Sequence, residues 1–386
     1  MNTPALTALP PLSLYVHIPW CIRKCPYCDF NSHTLNSSAD ENAYVDALLT
    51  DLAQELPLVW GRPVESVFFG GGTPSVFSAE AIDRLLGGIR ALVRLQPGAE
   101  ITLEANPGTF ERERFGGYAQ AGINRLSIGV QSFDDAKLAA LGRIHRGGEA
   151  EAAVTAALDL FERVNTDLMY ALPQQSPEQA AADIRRAAAA GVRHISAYHL
   201  TMEPNTPFGH TPPPGLPEDE AALDIEAAVH AALAEAGLAQ YETSAFAHSR
   251  EHQCRHNLNY WQFGDYIGIG AGAHGKISSH AGVSRSVRSR HPKDYLAAMQ
   301  TQPHKAVRRH KVAADELPFE FMMNALRLHD GVPSHWFAER TGLTLAQIAP
   351  AIQKAVERGL LDPAPHSLKP TPLGRRFLND LLQLFL

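Results

Sequence analysis

Cysteine is scarce in this sequence, with four in 386 residues. That excludes a disulfide framework as the organiser of the fold, and a chain of this length buries a core without one. Positive charge is also short: 34 Lys and Arg stand against 41 Asp and Glu, for a formal net charge of -7. This balance argues against a phosphate-backbone binder, so no nucleic acid is expected among the partners. No stretch of about 18 apolar residues occurs, so no transmembrane segment is expected. Met1–Leu12 lacks the basic and apolar regions of a secretory leader, and the expected location is cytoplasmic. Low-complexity tracts are missing too, and the one recurring pattern is an alternation of short β-rich runs with alanine-rich helical stretches.

That alternation organises the first half of the chain. Strand candidates are Leu14–Ile18, Val64–Phe69, Ile101–Ala105, Arg125–Val130, Asp167–Ala171 and His194–His199, each followed by a stretch able to cross over as a helix. Six such units predict an α/β fold, a partial (β/α)6 TIM-like barrel with its chemistry on the loops after the strands. Proline crowds Pro204–Pro217 and marks a connection. A helix near Glu218–Ala236, a strand-like Gln240–Phe246 and a segment rich in His, Gly and aromatics follow. The expected division is a barrel over 1–210, an extension over 211–310 and a mainly helical, winged-helix-like unit over 311–386. In that last unit Thr344 and Gln347 have capping-box spacing, and Pro350 either kinks the helix or postpones its start. From Leu343 onward five Lys or Arg (Lys354, Arg358, Lys369, Arg375, Arg376) face three Asp or Glu (Glu357, Asp362, Asp380), too slight an excess for a nucleic-acid footprint.

Three of the four cysteines, Cys21, Cys25 and Cys28, fall in a CxxxCxxC run. Chance places such a run in a cysteine-poor chain with a probability on the order of a few in ten thousand. A zinc site is the plainer alternative, but it wants a fourth ligand. Cys254 is remote in sequence, and Asp29, His17 or His33 serve only if the loop folds back. Three thiolates on a four-iron cubane leave one iron open, which suits a substrate or cofactor site better than electron transfer.

The run HIPWCIRKCPYCDF resembles the signature of the radical S-adenosylmethionine superfamily. The resemblance implies a [4Fe-4S] cluster on Cys21, Cys25 and Cys28. Its open iron would chelate the methionine amino and carboxylate groups of S-adenosylmethionine, and one electron would cleave the sulfonium to a 5'-deoxyadenosyl radical. It further implies an electron donor such as flavodoxin or ferredoxin. Trp20 and Tyr27 are expected to pack around the cluster. After the second strand, FFGGGTP resembles the family's loop for the methionine amino group, through Gly71, Gly72 and Thr73 with their N–H groups pointing inward. Glu104 in LEANPG, Gln131 in SIGVQSF, Arg143 in ALGRIHRG, Asp167 in NTDLMYALP and Tyr15 ahead of Cys21 match the oxygen-independent coproporphyrinogen III oxidase branch position by position. The carboxylates suit ribose hydroxyls and ammonium, and Arg143 suits a carboxylate. Each alone is also what a hydrogen-bonded strand-end residue looks like. His17 and His199 read as rim residues of that kind.

The decarboxylating oxidases of this branch carry another cysteine two residues after the last cluster ligand, and a longer N-terminal extension. This chain has Phe30 there and only a short lead into Cys21. HNLNYW and PYCDFNSH instead resemble the branch's haem-chaperone subgroup. The resemblance implies haem as cargo, delivery to haem-accepting proteins and no coproporphyrinogen oxidase activity. Whether S-adenosylmethionine is cleaved, and whether the chain forms a homodimer, stays open. Authentic coproporphyrinogen III oxidation is the alternative. For haem, His256 is the candidate axial ligand, Asn257 its tautomer-setting neighbour, and Tyr260 and Trp261 the aromatic walls. His248, His252 and His256 recur every four residues and would share one face of a helix, while the glycines of GIGAGAHG let the chain turn beside a bulky ligand.

Overall fold

The computed structural model describes residues 6, 8–35 and 40–386, so part of the Met1–Leu12 stretch lies outside the described residues. Six strands run parallel and neighbour one another in chain order: β1 (Leu12–Ile18), β2 (Pro63–Gly71), β3 (Arg94–Ala105), β4 (Arg125–Gln131), β5 (Arg163–Tyr170) and β6 (His194–His199). Helices α1 (Glu41–Val59), α2 (Ala79–Leu92), α3 (Thr109–Ala121), α4 (Gly147–Leu160) and α5 (Pro177–Ala189) make the crossovers. Their starts are written locally: Asp40 and Ser78 accept N–H bonds at the caps of α1 and α2. Ser176 and Gln179 form a capping box with Pro177 in the first turn of α5. All six strands read from the sequence are present, and β5 begins at Arg163, earlier than the run Asp167–Ala171.

The two faces of this sheet differ in chemistry. Leu14, Val16 and Ile18 of β1, Val67 and Phe69 of β2, and Leu126, Ile128 and Val130 of β4 join the helices in one apolar core. The alternate residues face the barrel interior and are mostly polar: Ser13, Tyr15 and His17 on β1, Thr102 and Glu104 on β3, Arg125 and Ser127 on β4, Asn165 and Asp167 on β5, with Phe68 of β2 an apolar exception stacked on Tyr15 and His256. Period-two alternation therefore puts packing outside and chemistry inside.

The barrel stays open. Past β6 the sheet ends in two short antiparallel strands, β7 (Ala239–Gln240) and β8 (Ala245–Ala247). Beyond β1 it continues into β9 (Asp265–Ile269), parallel to β1, and then the antiparallel β10 (His274–Ser279), β11 (Gly282–Arg288) and β12 (Val307–Lys311). Helix α6 (Asp219–Glu235) packs on the outside and α7 (Arg255–Trp261) plugs the base of the barrel, against β1, β2 and β9. The predicted histidine ladder does not form. His248 follows β8, His252 closes a 3-10 turn, and only His256 lies on α7. A second apolar core, built on Phe263, Phe321 and Phe337, holds the C-terminal helices and a small ladder between Val332–Pro333 and Ser367–Leu368. Pro350 postpones the last long helix to Ala349–Glu357, after a 3-10 turn capped by Thr344 and Gln347.

Candidate functional site

The loop after β1 is pinned on three sides. Trp20–Cys21 pairs with His33–Thr34. Trp20 packs against Tyr44 and Phe77. Asn31 donates from Nδ2 to the carbonyls of Ala271 and Arg290 at 2.9 and 2.8 Å, tying the loop to the added strands. The glycine loop of β2 supplies the third side. Gly72 N donates to Ile18 O at 2.8 Å and Thr73 N to Trp20 O at 2.7 Å. These amides are therefore spent on the cysteine loop and do not point at a ligand. A Cβ on Gly72 would lie 2.5 Å from the Trp20 carbonyl oxygen, so glycine here permits backbone–backbone approach. Gly71 has φ of 118° and leaves room for the His17 ring.

So held, Cys21, Cys25 and Cys28 line one cavity of about 460 Å³ together with Gly72, Thr73, Glu104, Gln131, Arg143 and Asp167. Tyr15 and Gly71 line an adjoining cavity of about 510 Å³, and Glu104 and Phe30 belong to both. Tyr27 faces the first cavity and Phe30, 63% exposed, stands at the border. Burial raises the Cys21 and Cys28 thiols, partly offset at Cys21 by Thr73 and at Cys28 by the Phe30 backbone. The thiols are spread: among the described residues no three His, Cys, Asp or Glu side chains gather as for a single ion. A cubane puts each thiolate on a different iron, and this donor set suits it.

Arg143 is the hub of the opposite wall. Its Nη1 donates to Cys25 Sγ at 3.3 Å, and its Nη2 to Asn106 Oδ1 at 2.7 Å and Gly129 O at 2.9 Å. Among the described residues its buried Nε has no partner. Burial alone would depress this guanidinium, but Tyr27 and Cys25 more than offset it. Asn106 also donates to Thr73 Oγ1 at 3.1 Å. It joins the two walls and was missed in sequence, though it follows Glu104 by two positions in LEANPG. Gln131 sits at the end of β4 with φ of 68°, a left-handed backbone that places strain at the rim. Glu104 is pushed up to about 8, first by lost hydration and then by Asp167. Asp167 accepts from Ser127 at 3.2 Å and Asn165 at 2.9 Å. His199 is a rim residue as read, bonded to Leu200 O, and His17 bonds Tyr15 and the Asn31 carbonyl.

The HNLNYW residues divide. His256 is buried, with Nδ1 bonded to Ser66 Oγ at 2.9 Å and Nε2 to Tyr260 Oη at 3.0 Å. Neither nitrogen is free for iron, so the expected axial role is not what this geometry offers. Asn257 lines a small internal cavity of about 170 Å³ with His256. Tyr260 and Trp261 line the 510 Å³ cavity.

An open α/β barrel with three thiols lining one cavity at its rim and a polar wall opposite defines a radical S-adenosylmethionine protein. The sequence matches the Radical SAM superfamily over residues 15–187 and the HemN C-terminal domain over 312–377. It is 48% identical over 383 residues to the heme chaperone HemW of Escherichia coli strain K12, covering 99% of this chain and 100% of that protein. It is 47% identical to the heme chaperone HemW of Haemophilus influenzae, with 98% of each chain covered. It is also 35% identical to the mitochondrial radical S-adenosyl methionine domain-containing protein 1 of Bos taurus, over 96% of this chain and 86% of that one. The chain belongs to the HemW family. Among solved structures, coproporphyrinogen III oxidase HemN of Escherichia coli superposes with a TM-score of 0.82 at 24% identity, covering 98% of this chain and 90% of that one, which establishes the shared fold. Family membership carries a [4Fe-4S] cluster and S-adenosylmethionine binding with it.

Proposed function

We propose that this chain is a haem chaperone that binds haem and hands it to haem-accepting proteins, with Cys21, Cys25 and Cys28 as the cluster ligands. The observation that carries this reading is the end-to-end likeness to proteins named heme chaperone HemW. Arg143 and the strained Gln131 support placing S-adenosylmethionine in the 460 Å³ cavity, with Gly72, Thr73, Glu104 and Asp167 around it and Gly71 and Tyr15 on the adjoining cavity that shares Glu104. When reduced, such a cluster supplies the electron that cleaves a sulfonium. The chain's own part is to hold the ligand's carboxylate through Arg143, fix Arg143 through Asn106, and shield the site with Tyr27 and Phe30. Electrons come from a flavodoxin or ferredoxin in the cytoplasm, a reducing compartment that suits four free cysteines.

Phe30 supports the absence of porphyrinogen decarboxylation, because a phenyl ring offers neither the proton nor the thiolate of a cysteine. The test is anaerobic reconstitution, followed by haem transfer to an apo-haemoprotein and product analysis with coproporphyrinogen III. Haem transfer without protoporphyrinogen IX is expected. Accumulating protoporphyrinogen IX would replace this reading with the oxidase.

A further inference from the structure

Resting on the haem-chaperone reading, the remaining question is where the cargo sits once His256 is committed to Ser66 and Tyr260. The 170 Å³ cavity beside His256 is below the range of about 300–1,000 Å³ typical of small-molecule sites. The 460 Å³ cavity carries the thiols. The 510 Å³ cavity lies within that range. Its walls include Phe30, Tyr260, Trp261 and Tyr266, and it opens beside His274 and Arg290.

His274 differs from the other histidines near this cavity. His17 has both ring nitrogens engaged, and His256 lies behind Tyr260. His274 opens β10, is exposed, and among the described residues its ring makes no hydrogen bond or ion pair. Its neutral form is favoured, first by partial burial and then by Arg285, Arg290 and Arg288. Neutral imidazole is the form that binds iron. The three arginines are not equivalent. Arg285 is held by Glu320 and Tyr266, and Arg288 by Asp51 and Glu55. Arg290 is exposed and takes part in no ion pair among the described residues. A flat apolar macrocycle with one axial site and carboxylates on one edge is complementary to aromatic walls, an open imidazole and an open guanidinium.

We propose that haem occupies the 510 Å³ cavity with His274 as axial ligand and its propionates toward Arg290. The test titrates cluster-loaded full-length protein with ferric haem and reads the Soret band together with resonance Raman marker bands. His274→Ala is expected to weaken binding by at least about tenfold and to lose the imidazole-ligated spectrum. Added imidazole should restore that spectrum, which a merely structural role would not allow. His256→Gln should keep it. Arg290→Gln should narrow the preference for haem over haem dimethyl ester. If the alanine variant loses its cluster, His274→Gln, closer in volume, takes its place. Wild-type protein that binds no haem overturns the chaperone reading itself. Wild-type binding that His274→Ala or His274→Gln leaves unchanged, or that His256→Gln abolishes, overturns the assignment to His274 and leaves the chaperone reading standing.

Discussion

The rim and the base of the barrel are built from the same residue types and end in opposite states. At the base, Cys254 donates to Glu100 at 3.5 Å, and Glu100 also accepts from His256 N at 3.1 Å and pairs with Arg163 at 3.2 Å. Asn259 donates to Ser13 and to the Asp265 carbonyl, and Ser66 bridges Ser13 and His256. At the rim, three thiols share a cavity wall, Gln131 is strained, Glu104 is pushed up to about 8 by burial and then by Asp167, and among the described residues Arg143 Nε has no partner. Burial of a Cys, His or Glu therefore does not mark a functional group here. What separates the regions is the partner each of these groups has: at the base Cys254, Glu100 and His256 are bonded to one another or to Arg163, Ser66 and Tyr260, whereas at the rim three thiols line a cavity.

The sharpest way to break the contrast is to remove one cysteine from each region. Cys21→Ala, Cys25→Ala or Cys28→Ala should lower the iron content of reconstituted protein from about four per chain to nearly none. Cys254→Ala should keep the brown colour, and a colourless Cys254→Ala protein would put a cluster ligand at the base. Next in size is Gly72→Val, which drives a branched side chain into the Trp20 carbonyl. It should lose the cluster and destabilise the fold by about 3 kcal/mol, read by denaturant unfolding.

Smaller effects sharpen the comparison through pH. His256 is held down to about 3 by burial and then by Arg125. Its unfolded counterpart binds a proton below pH ~6.5 while the folded ring does not. Stability from this group is full above pH 6.5 and is lost as pH falls toward 3, a loss on the order of 3 kcal/mol that His256→Gln should remove. Glu104 has the opposite sign. Its folded value of about 8 lies above the unfolded one, so stability drops as pH rises from about 4.5 to 8 and stays low beyond. Glu104→Gln should stabilise the apoprotein at pH 8 by roughly 2 kcal/mol in urea unfolding, after allowance for its partial exposure. If His256→Gln leaves the loss of stability below pH 6.5 unchanged, or Glu104→Gln fails to stabilise the protein at pH 8, the distinction between the base and the rim fails.

Local pattern carried much of this molecule. The six parallel strands were legible because each is a short apolar run bounded by turn residues, and the cysteine spacing and glycine run lie within single loops. Four things were not legible, each for a non-local reason. The strands at Asp265–Lys311 extend the sheet beside β1, a pairing across some two hundred and fifty residues that no local period records. The four-residue histidine repeat looked helical, yet Gln253 and Cys254 are extended and restart the chain direction before α7. The Gly72 and Thr73 amides were expected at the ligand, but their partners are the carbonyls of Ile18 and Trp20 far upstream. Asn106 became a hub only when β2 and β4, the strands on either side of β3, brought Thr73 and Arg143 to it.

Phe30 and Glu104 each belong to the lining of both rim cavities, so the two spaces share a wall. A shared wall makes occupancy a thermodynamic conversation. If a molecule in one cavity alters the rotamer of Phe30 or the proton on Glu104, it changes the affinity of the other cavity by some factor, and that factor must act equally in the reverse direction. Loading and release of cargo and cofactor are then two readings of one coupling free energy, obtainable from either titration alone.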